Sequence, residues 1–312
     1  MKRIFDIRHF DLAVLNEEAK TCETELIHRA EQGYRKNIDS IVEAYLNRRD
    51  PHKVILLSGP SASGKTVSSY RLQHQLQHYG MAPIVISLDD FYRPVEQLPV
   101  VDGRIQRDVV EALDIPLINR TLEQLVSTGA ACLPRFDFTR ARRIPEARHI
   151  QMEKNSVLIV EGIHALNPRL YEKAPSADFL KIYIDIRCCY NLRESLLLDS
   201  RELRLVRRCI RDHYYRGAGL SVTFGMWKDV CDAEDQFIRP FLDTADFLIN
   251  TVHEYEPMVY RDEFLSLASR IPSASPDYNQ AKCLSEKLTL FASMPMSRVP
   301  KQSMLQEFIV SY

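Results

Sequence analysis

The chain has 312 residues, a hydrophobic content of 45% and a net charge of −1 at pH 7. This length allows one large α/β domain with additions, and the hydrophobic content is typical of a globular protein with a full core. The near-neutral charge argues against a nucleic-acid-binding surface along the whole chain. The seven cysteines contain no C-x-x-C pair, which favours a reduced, cytoplasmic protein over a disulfide scaffold or a zinc site. No signal peptide and no apolar run of membrane-spanning length is evident, so we expect no membrane partner.

The first 50 residues precede the main α/β pattern and are predicted to be helical. Apolar residues step by three and four between Ile27 and Tyr45, which indicates one buried helical face. Pro51 ends the pattern, because proline disfavours helix in the residue before it. We interpret residues 1–50 as an N-terminal helical extension that packs on the core or on a second subunit, which leaves a homo-oligomer open.

The stretch from Val54 to Thr66 is an apolar run followed by a glycine-bounded turn and a helical pattern. It matches G-x-x-x-x-G-K-[ST] in the strand–loop–helix setting of a phosphate loop. The two glycines permit backbone conformations that side chains would obstruct, so successive N–H groups can surround phosphate oxygens. We expect Lys65 at the β/γ-phosphates and the Thr66 hydroxyl on Mg²⁺. The predicted nucleotide-binding residues are Gly59, Ser61, Ala62, Ser63, Gly64, Lys65 and Thr66.

Apolar runs and amphipathic segments alternate after the loop, which predicts a doubly wound parallel sheet. The predicted strands after Val54–Ser58 are 83–88, 157–160, 179–186 and 247–250. The predicted helices are 114–128, 191–216, 220–243 with a break near Gly225, and 257–269. Residues 131–153 are short, alternating and basic, which indicates an antiparallel hairpin or flap. Residues 51–270 would form the main domain, and residues 271–312 a C-terminal helical tail with helices at 278–291 and 302–309.

Two carboxylates follow predicted strands at the sheet edge where ligands bind in open α/β folds. Asp89 comes directly after the second strand, where it can orient an acceptor hydroxyl, take its proton and contact Mg²⁺. Glu161 follows the third strand and can bind Mg²⁺ directly or through water. The structural alternatives are a turn-forming Asp-Asp pair and a strand-ending Glu.

Arginines recur at helical spacing in the segment before Gly217. Such guanidinium groups repel one another unless anions lie among them. A lid that closes on ATP phosphates would supply the anions, and a solvated basic face paired with Glu202 and Asp212 is the alternative. The set is Arg204, Arg207, Arg208, Arg211 and Arg216.

The motifs, taken in order, resemble those of the uridine kinase/phosphoribulokinase family of P-loop kinases, in its bacterial uridine-kinase-like branch. They are the phosphate loop, SLDDFYR at 87–93, PRFDF at 134–138, EGIHAL at 161–166, RRCIRD at 207–212 and the run at 239–246. The resemblance covers about residues 53–250. It implies a three-layer α/β fold with a mostly parallel five-stranded sheet and a β-hairpin flap, with ATP and Mg²⁺ as cofactors.

The resemblance also assigns roles to residues. It places the catalytic carboxylate on Asp89 and the Mg²⁺-side acid on Glu161. Together with Asp89 and Lys65, the lid arginines Arg208 and Arg211 are expected to be catalytic, and Arg216 to contact the nucleotide. The expected acceptor-binding residues are Asp89, Tyr92, Asp108, Phe136 and Arg208.

Two positions depart from the uridine kinase pattern. Phe136 stands where uridine kinases have Tyr, and Ala141 where they have a base-reading His. A site without a buried hydrogen-bonding partner should discriminate poorly for its base. A small-molecule kinase with a uridine-like or cytidine-like acceptor is the best single hypothesis. A kinase of another sugar or small alcohol, anionic because the flap is basic, and a non-catalytic nucleotide-binding regulatory protein stay open.

Overall fold

The computed structural model describes residues 6–47, 54–101, 103–137, 140, 142–174 and 179–309. The strands are β1 Arg8–Asp11, β2 Val54–Ser58, β3 Ala82–Ser87, β4 Val100–Val101, β5 Arg104–Ile105, β6 Ala130–Asp137, β7 Arg142–Gln151, β8 Ser156–Glu161, β9 Phe179–Asp185, β10 Cys188–Leu192, β11 Ser195–Asp199 and β12 Phe247–Asn250. The helices are α1 Leu12–Thr21, α2 Glu23–Leu46, α3 Lys65–His78, α4 Ile115–Thr128, α5 Ser200–Arg216, α6 Leu220–Ala233, α7 Glu256–Ala268 and α8 Tyr278–Thr289.

The central sheet has five strands in the order β12–β9–β2–β8–β3, and every neighbouring pair is parallel. The apolar strands β2 and β8 lie in its middle with every residue buried, as expected for a sheet covered on both faces. The prediction of a five-stranded, mostly parallel sheet is therefore confirmed, and the sheet is parallel throughout. Because all five strands run the same way, their carboxyl ends meet at one edge.

Successive side chains of β2 point to opposite faces of the sheet and join two different cores. Ile55 and Leu57 pack in a cluster with residues of α2, α3, α5, α6, α7 and α8, whereas Val54 and Leu56 pack with α4. Helices thus cover both faces, which confirms the three-layer α/β fold. Strands β6 and β7 form the predicted antiparallel hairpin.

The N-terminal extension contributes a strand that the helical pattern did not reveal. β1 pairs in parallel with β10, and β10 pairs with β11, which gives a separate three-stranded sheet. The prediction of one helix over 191–216 was therefore wrong in its first part. Asp199 and Glu202 form a capping box that starts the helix at Ser200, after the β10–β11 hairpin.

Two further helix predictions need correction. Helix α6 continues through Gly225 without a break and ends at Ala233, where a π-helical turn and a 3₁₀ turn with Pro240 follow. Proline removes a backbone donor, so a regular helix does not extend to residue 243. The second tail helix is only the 3₁₀ turn Met304–Glu307, capped by Ser303.

Apolar residues of both extensions lie in the same cluster as α3 and α5. We therefore propose that residues 1–50 and 271–312 are additions to a main domain at 51–270. Within the described ranges, no helix is both long enough and apolar enough to cross a membrane.

Candidate active site

The phosphate loop has the backbone geometry that its glycines predict. Gly59 has φ +155°, and a Cβ there would lie 1.9 Å from the Ile184 carbonyl oxygen, so only glycine fits. Gly64 is left-handed, with φ +88°, immediately before α3 begins at Lys65. Ala62 shares the left-handed region at φ 61°. The loop thus curls over the end of β2 in a conformation that can surround an anion.

Two side chains of the loop are suited to hold phosphate oxygens. Lys65 is buried and its Nζ donates to the Pro60 carbonyl oxygen at 2.8 Å. Burial lowers the pKa of Lys65, and the negative charges of Glu161 and Asp89 oppose that shift. Ser63 is buried, and its hydroxyl has no hydrogen-bond partner within the described ranges. An unused donor inside this loop fits a bound phosphate.

Glu161 and Asp89 meet Lys65 at the carboxyl edge of the sheet. Glu161 ends β8 directly opposite Ser87 of β3, whose hydroxyl donates to Glu161 Oε1 at 2.6 Å. Burial raises the pKa of Glu161 to about 7, and the nearby charge of Asp89 acts in the same direction. Thr66 is exposed on the first turn of α3. Thr66, Glu161 and Asp89 offer the oxygen donors that Mg²⁺ prefers, although the described residues contain no cluster of three or more His, Cys, Asp or Glu that could bind a metal by itself.

The two consecutive aspartates have different roles in the structure. Both lie in a 3₁₀ turn over Leu88–Phe91 that follows β3. Asp90 Oδ1 accepts from the backbone N–H of Phe136 at 3.1 Å, so Asp90 fastens the hairpin to this turn. The carboxylate of Asp89 has no hydrogen-bond or ion-pair partner in the part of the chain that the structure describes, while its charge acts on Lys65 and Glu161. This arrangement leaves Asp89 available for an acceptor hydroxyl.

The expected acceptor residues lie together beside Asp89. The ring centroids of Tyr92 and Phe136 are 6.0 Å apart in an edge-to-face arrangement. Burial raises the pKa of Tyr92, and the charges of Asp89 and Asp108 add to that shift. Burial also raises the pKa of Asp108, while the Arg208 guanidinium opposes it. The structure thus brings together all five residues predicted to bind the acceptor.

His164 supports this region rather than taking part as a ligand. Its Nε2 is 3.0 Å from the carbonyl oxygen of Asp108. Burial lowers the pKa of His164 to about 4, so the ring is neutral at physiological pH and donates to that carbonyl. The loop that carries Asp108 is therefore tied to the end of β8.

The arginines of α5 divide into two groups. Arg208 donates to the Ser61 hydroxyl at 2.9 Å, and its Nε lies 3.2 Å from Asp212 Oδ2. Arg211 and Arg216 also face Asp212, at 2.8 and 3.6 Å. The Asp212 carboxylate thus contacts all three arginines predicted for the lid and holds them beside the phosphate loop.

Arg204 and Arg207 of α5 are structural, which corrects the prediction of a uniform lid helix. Arg204 pairs with Glu234, and Arg207 pairs with Glu256 at 2.6 Å. Leucine, valine, cysteine and isoleucine side chains of α5 are buried among them. Carboxylates of the chain itself, rather than phosphates alone, supply the anions that the clustered guanidinium groups need.

Sequence reasoning missed Thr251 and Glu256, which act on the phosphate loop from behind. The Thr251 hydroxyl donates to the Ser63 carbonyl oxygen at 2.7 Å, and Glu256 holds Arg207, whose Nη1 is 3.4 Å from the Ala62 carbonyl oxygen. Thr251 directly follows β12, so its place at the carboxyl edge of the sheet was the available signal.

The flap is less basic than its sequence suggests. Arg143 pairs with Asp114 at 2.9 Å, and the exposed Arg140 pairs with Asp137 at 3.3 Å. Arg135 and Arg142 are also exposed. Ala141 lies outside the described residues.

A phosphate loop after the central strand β2 of an all-parallel sheet, with Glu161 at the end of β8 and Asp89 after β3, is the arrangement of a P-loop kinase. The model of the phosphoribulokinase/uridine kinase family matches residues 54–256. The chain belongs to this family, whose members are phosphotransferases with an alcohol group as acceptor.

Curated relatives carry the name uridine kinase. The protein of Lactobacillus helveticus is 27% identical over 198 residues, which is 63% of this chain and 85% of that protein. The protein of Pectobacterium atrosepticum is 29% identical over 205 residues, 63% of this chain and 85% of that protein. Among solved structures, a possible uridine kinase from Bacillus stearothermophilus has 17% identity and a TM-score of 0.48, and covers 69% of this chain and 98% of that chain.

Proposed function

We propose that the protein is an ATP-dependent kinase that transfers the γ-phosphate to a hydroxyl of a small molecule. The observation that carries this proposal is the meeting of Lys65, Glu161 and Asp89 at one sheet edge, where the charges of the two carboxylates act on the buried ammonium group. A purely structural loop has no need of two acids beside its lysine. Phosphoryl transfer needs a cation at the phosphates, a metal ligand and a carboxylate near the acceptor.

Each residue of the site has a proposed role in binding or in catalysis. Backbone N–H groups of residues 59–66 and Lys65 would bind the triphosphate of ATP, and Thr66 and Glu161 would hold Mg²⁺. When bound, the metal ion neutralises charge on the phosphate oxygens. Asp89 would orient the acceptor hydroxyl and take its proton. Arg208 and Arg211 would stabilise the negative charge that develops during transfer, with Arg216 at the mouth of the site.

The acceptor is best proposed as a uridine-like or cytidine-like nucleoside. The support comes from the relatives named uridine kinase and from the Tyr92–Phe136 pair, whose rings can contact a base. An anionic sugar or alcohol is the second candidate within the same reaction. Its support is weaker, because two arginines of the flap, Arg140 and Arg143, already pair with carboxylates.

The cellular setting is part of the proposal. All seven cysteines are free, including the buried Cys188, Cys209 and Cys231, as expected for a reducing compartment. We propose a cytoplasmic enzyme whose partners are small molecules rather than nucleic acid. A homo-oligomer stays a prediction.

The proposal is tested by ADP release from MgATP across nucleosides, sugars and small alcohols, half of them anionic. We expect release with at least one acceptor and strong dependence on Asp89. Tight MgATP binding with no release for any acceptor would favour the non-catalytic regulatory protein.

A further inference from the structure

The C-terminal segment, residues 303–309, packs directly on the phosphate loop. Met304, Leu305 and Phe308 are completely buried. A Cβ placed on Gly64 would lie 2.7 Å from Met304 Sδ, so the sulfur atom occupies the space beside the last glycine of the loop. This contact joins residues that are far apart in the sequence.

A second contact of the segment reaches the loop through Arg207. The Phe308 ring lies under the Arg207 guanidinium, with the central carbon 4.9 Å from the ring centroid. Arg207 is itself completely buried, and its Nη2 donates to the Thr251 carbonyl oxygen at 3.1 Å. Its Nη1 lies 3.4 Å from the Ala62 carbonyl oxygen. Phe308 therefore supports the guanidinium that lies against the Ala62 carbonyl at the back of the loop.

The last residue of the segment is fastened to α5, and its first residues are held by a hydrogen bond within the segment. The Tyr215 hydroxyl at the end of α5 donates to the Ile309 carbonyl oxygen at 2.6 Å. Ser303 is buried, and its hydroxyl accepts from the Leu305 N–H at 3.1 Å. A segment with buried side chains and a fixed end can transmit its position to the groups that it contacts.

Holding the loop carbonyls from behind orients the loop N–H groups in front. The peptide group is planar, so the carbonyl of one residue and the N–H of the next point in opposite directions. Thr251 holds the Ser63 carbonyl at 2.7 Å, which directs the Gly64 N–H to the other side of the loop. Arg207 and Met304 act on the same three residues, 62–64.

We propose that the C-terminal segment is a positioning element of the nucleotide site, which holds loop residues 62–64 in the phosphate-binding conformation through Met304, Phe308 and Arg207. The inference rests on the proposed function, because the ligand that benefits is the triphosphate of a nucleotide. It predicts weaker nucleotide binding when the segment is altered. None of the contacts described above involves a residue proposed for the acceptor, so the KM for the acceptor should not change.

The test compares Phe308→Leu with Phe291→Leu. Phe291 is equally buried in the C-terminal tail but packs edge-to-face against Tyr190, with ring centroids 5.4 Å apart, so its replacement makes the same chemical change away from the loop. The first measurement is the Kd of MgATP without acceptor. The second is amide hydrogen exchange of residues 59–66 without nucleotide. If the segment had only a structural role, the two substitutions would change the Kd and the hydrogen exchange by similar amounts.

For Phe308→Leu we expect about a threefold to tenfold higher Kd, the scale of a lost contact between a ring and a guanidinium group. We also expect faster exchange at residues 59–66 and an unchanged KM for the acceptor. Phe291→Leu should stay within about twofold of wild type in each measurement. Equal effects of the two variants on Kd and on loop exchange would overturn the proposal.

A second pair covers the case in which Phe308→Leu does not fold. Met304→Ala removes the contact with Gly64, and Met294→Ala removes a methionine of similar burial elsewhere in the tail. The same difference in loop exchange is expected, and its absence would count against the positioning role. Wild-type protein that fails to bind MgATP would contradict the proposed function, and the exchange comparison would still decide this inference.

Discussion

Arg207 and Glu256 form a bidentate ion pair in the protein interior, with Nε–Oε2 at 2.6 Å and Nη2–Oε1 at 2.8 Å. Both side chains are completely buried. The next residue, Arg208, points to the phosphate loop instead and donates to the Ser61 hydroxyl. The directions of successive side chains on a helix differ by about 100°. Arg207 therefore points into the core, and the adjacent Arg208 points to the site.

This division predicts different consequences for Arg207→Ala and Arg208→Ala. Removing Arg207 leaves the buried Glu256 charge without a partner and should cost about 3–5 kcal/mol of unfolding free energy. Arg208→Ala should lower kcat and destabilise the protein much less, because Asp212 keeps Arg211 as a partner. Urea denaturation and steady-state kinetics measure the two effects. An equal loss of stability with normal kcat in Arg208→Ala would show that Arg208 is structural.

The phosphate loop predicts strong effects of Lys65→Ala and Thr66→Ala on ATP-dependent turnover. The first change deletes the buried ammonium group, and the second deletes the hydroxyl proposed for Mg²⁺. Loss of one such preorganised group lowers kcat by about 10²–10³. Thr66→Ser keeps the hydroxyl and serves as the matched control, with turnover near that of wild type. Near-normal turnover in Lys65→Ala would place catalysis elsewhere.

Asp89→Asn and Asp90→Asn test which of two adjacent carboxylates acts on the acceptor. Asp89→Asn should lower kcat by roughly 10²–10⁴ and leave the Kd of ATP within a few-fold, the usual result of losing a general base. Asp90→Asn keeps an oxygen that can accept from the Phe136 N–H, so it should change kcat little. The reverse order of effects, measured by steady-state kinetics, would assign the catalytic role to Asp90.

The pKa of Glu161 predicts a pH-dependent stability of the nucleotide-free protein. Glu161 has a pKa of about 7 in the folded state, against an ordinary value of 4.5. Between these values the unfolded chain releases a proton that the folded protein keeps, so unfolding free energy falls as pH rises. Glu161→Gln lacks this titration and still accepts from Ser87. It should therefore match wild type near pH 4 and be more stable at pH 8, by about 1–3 kcal/mol in urea denaturation without Mg²⁺. The same stability difference at both pH values would contradict the shifted pKa.

Phe136 predicts inefficient use of uridine. The ring has no hydroxyl, and a buried polar edge of a base without a partner costs about 1–3 kcal/mol. We expect a kcat/KM for uridine below about 10⁴ M⁻¹s⁻¹, the lower end of the usual range, and an increase in Phe136→Tyr. A wild-type value above that limit would show that other groups recognise the base.

The sequence predicted the parts of the molecule that depend on local patterns. The strand–loop–helix at Val54–Thr66, the parallel sheet and the hairpin follow from periodicity and glycine spacing, and the structure has all three. Strand β1 was missed because its four residues pair with β10, about 180 positions away in the chain, and no local pattern records that pairing.

The sequence also could not show which arginines of α5 lie at the site and which stabilise the core. Helical spacing brings Arg204, Arg207, Arg208 and Arg211 into one helix. The partners of Arg204 and Arg207 lie outside that helix, at Glu234 after α6 and at Glu256 at the start of α7. The contact between Met304 and Gly64 is likewise tertiary, since the tail reaches the loop only after the chain has folded. Sequence reasoning therefore placed the predicted site residues in one region without revealing what holds them there.

The central claim is that Asp89 at the carboxyl edge of the sheet serves phosphoryl transfer from ATP to a hydroxyl. The most direct measurement is the rate of ADP release from MgATP, for wild type and Asp89→Asn, with each acceptor of the panel and without any acceptor. The account predicts that at least one acceptor raises ADP release by wild type well above the acceptor-free rate. Asp89→Asn should lower this acceptor-stimulated rate by a factor of roughly 10²–10⁴ while still binding ATP. An acceptor-stimulated rate that Asp89→Asn leaves unchanged would contradict the claim, as would wild-type protein that binds MgATP and releases no ADP with any acceptor.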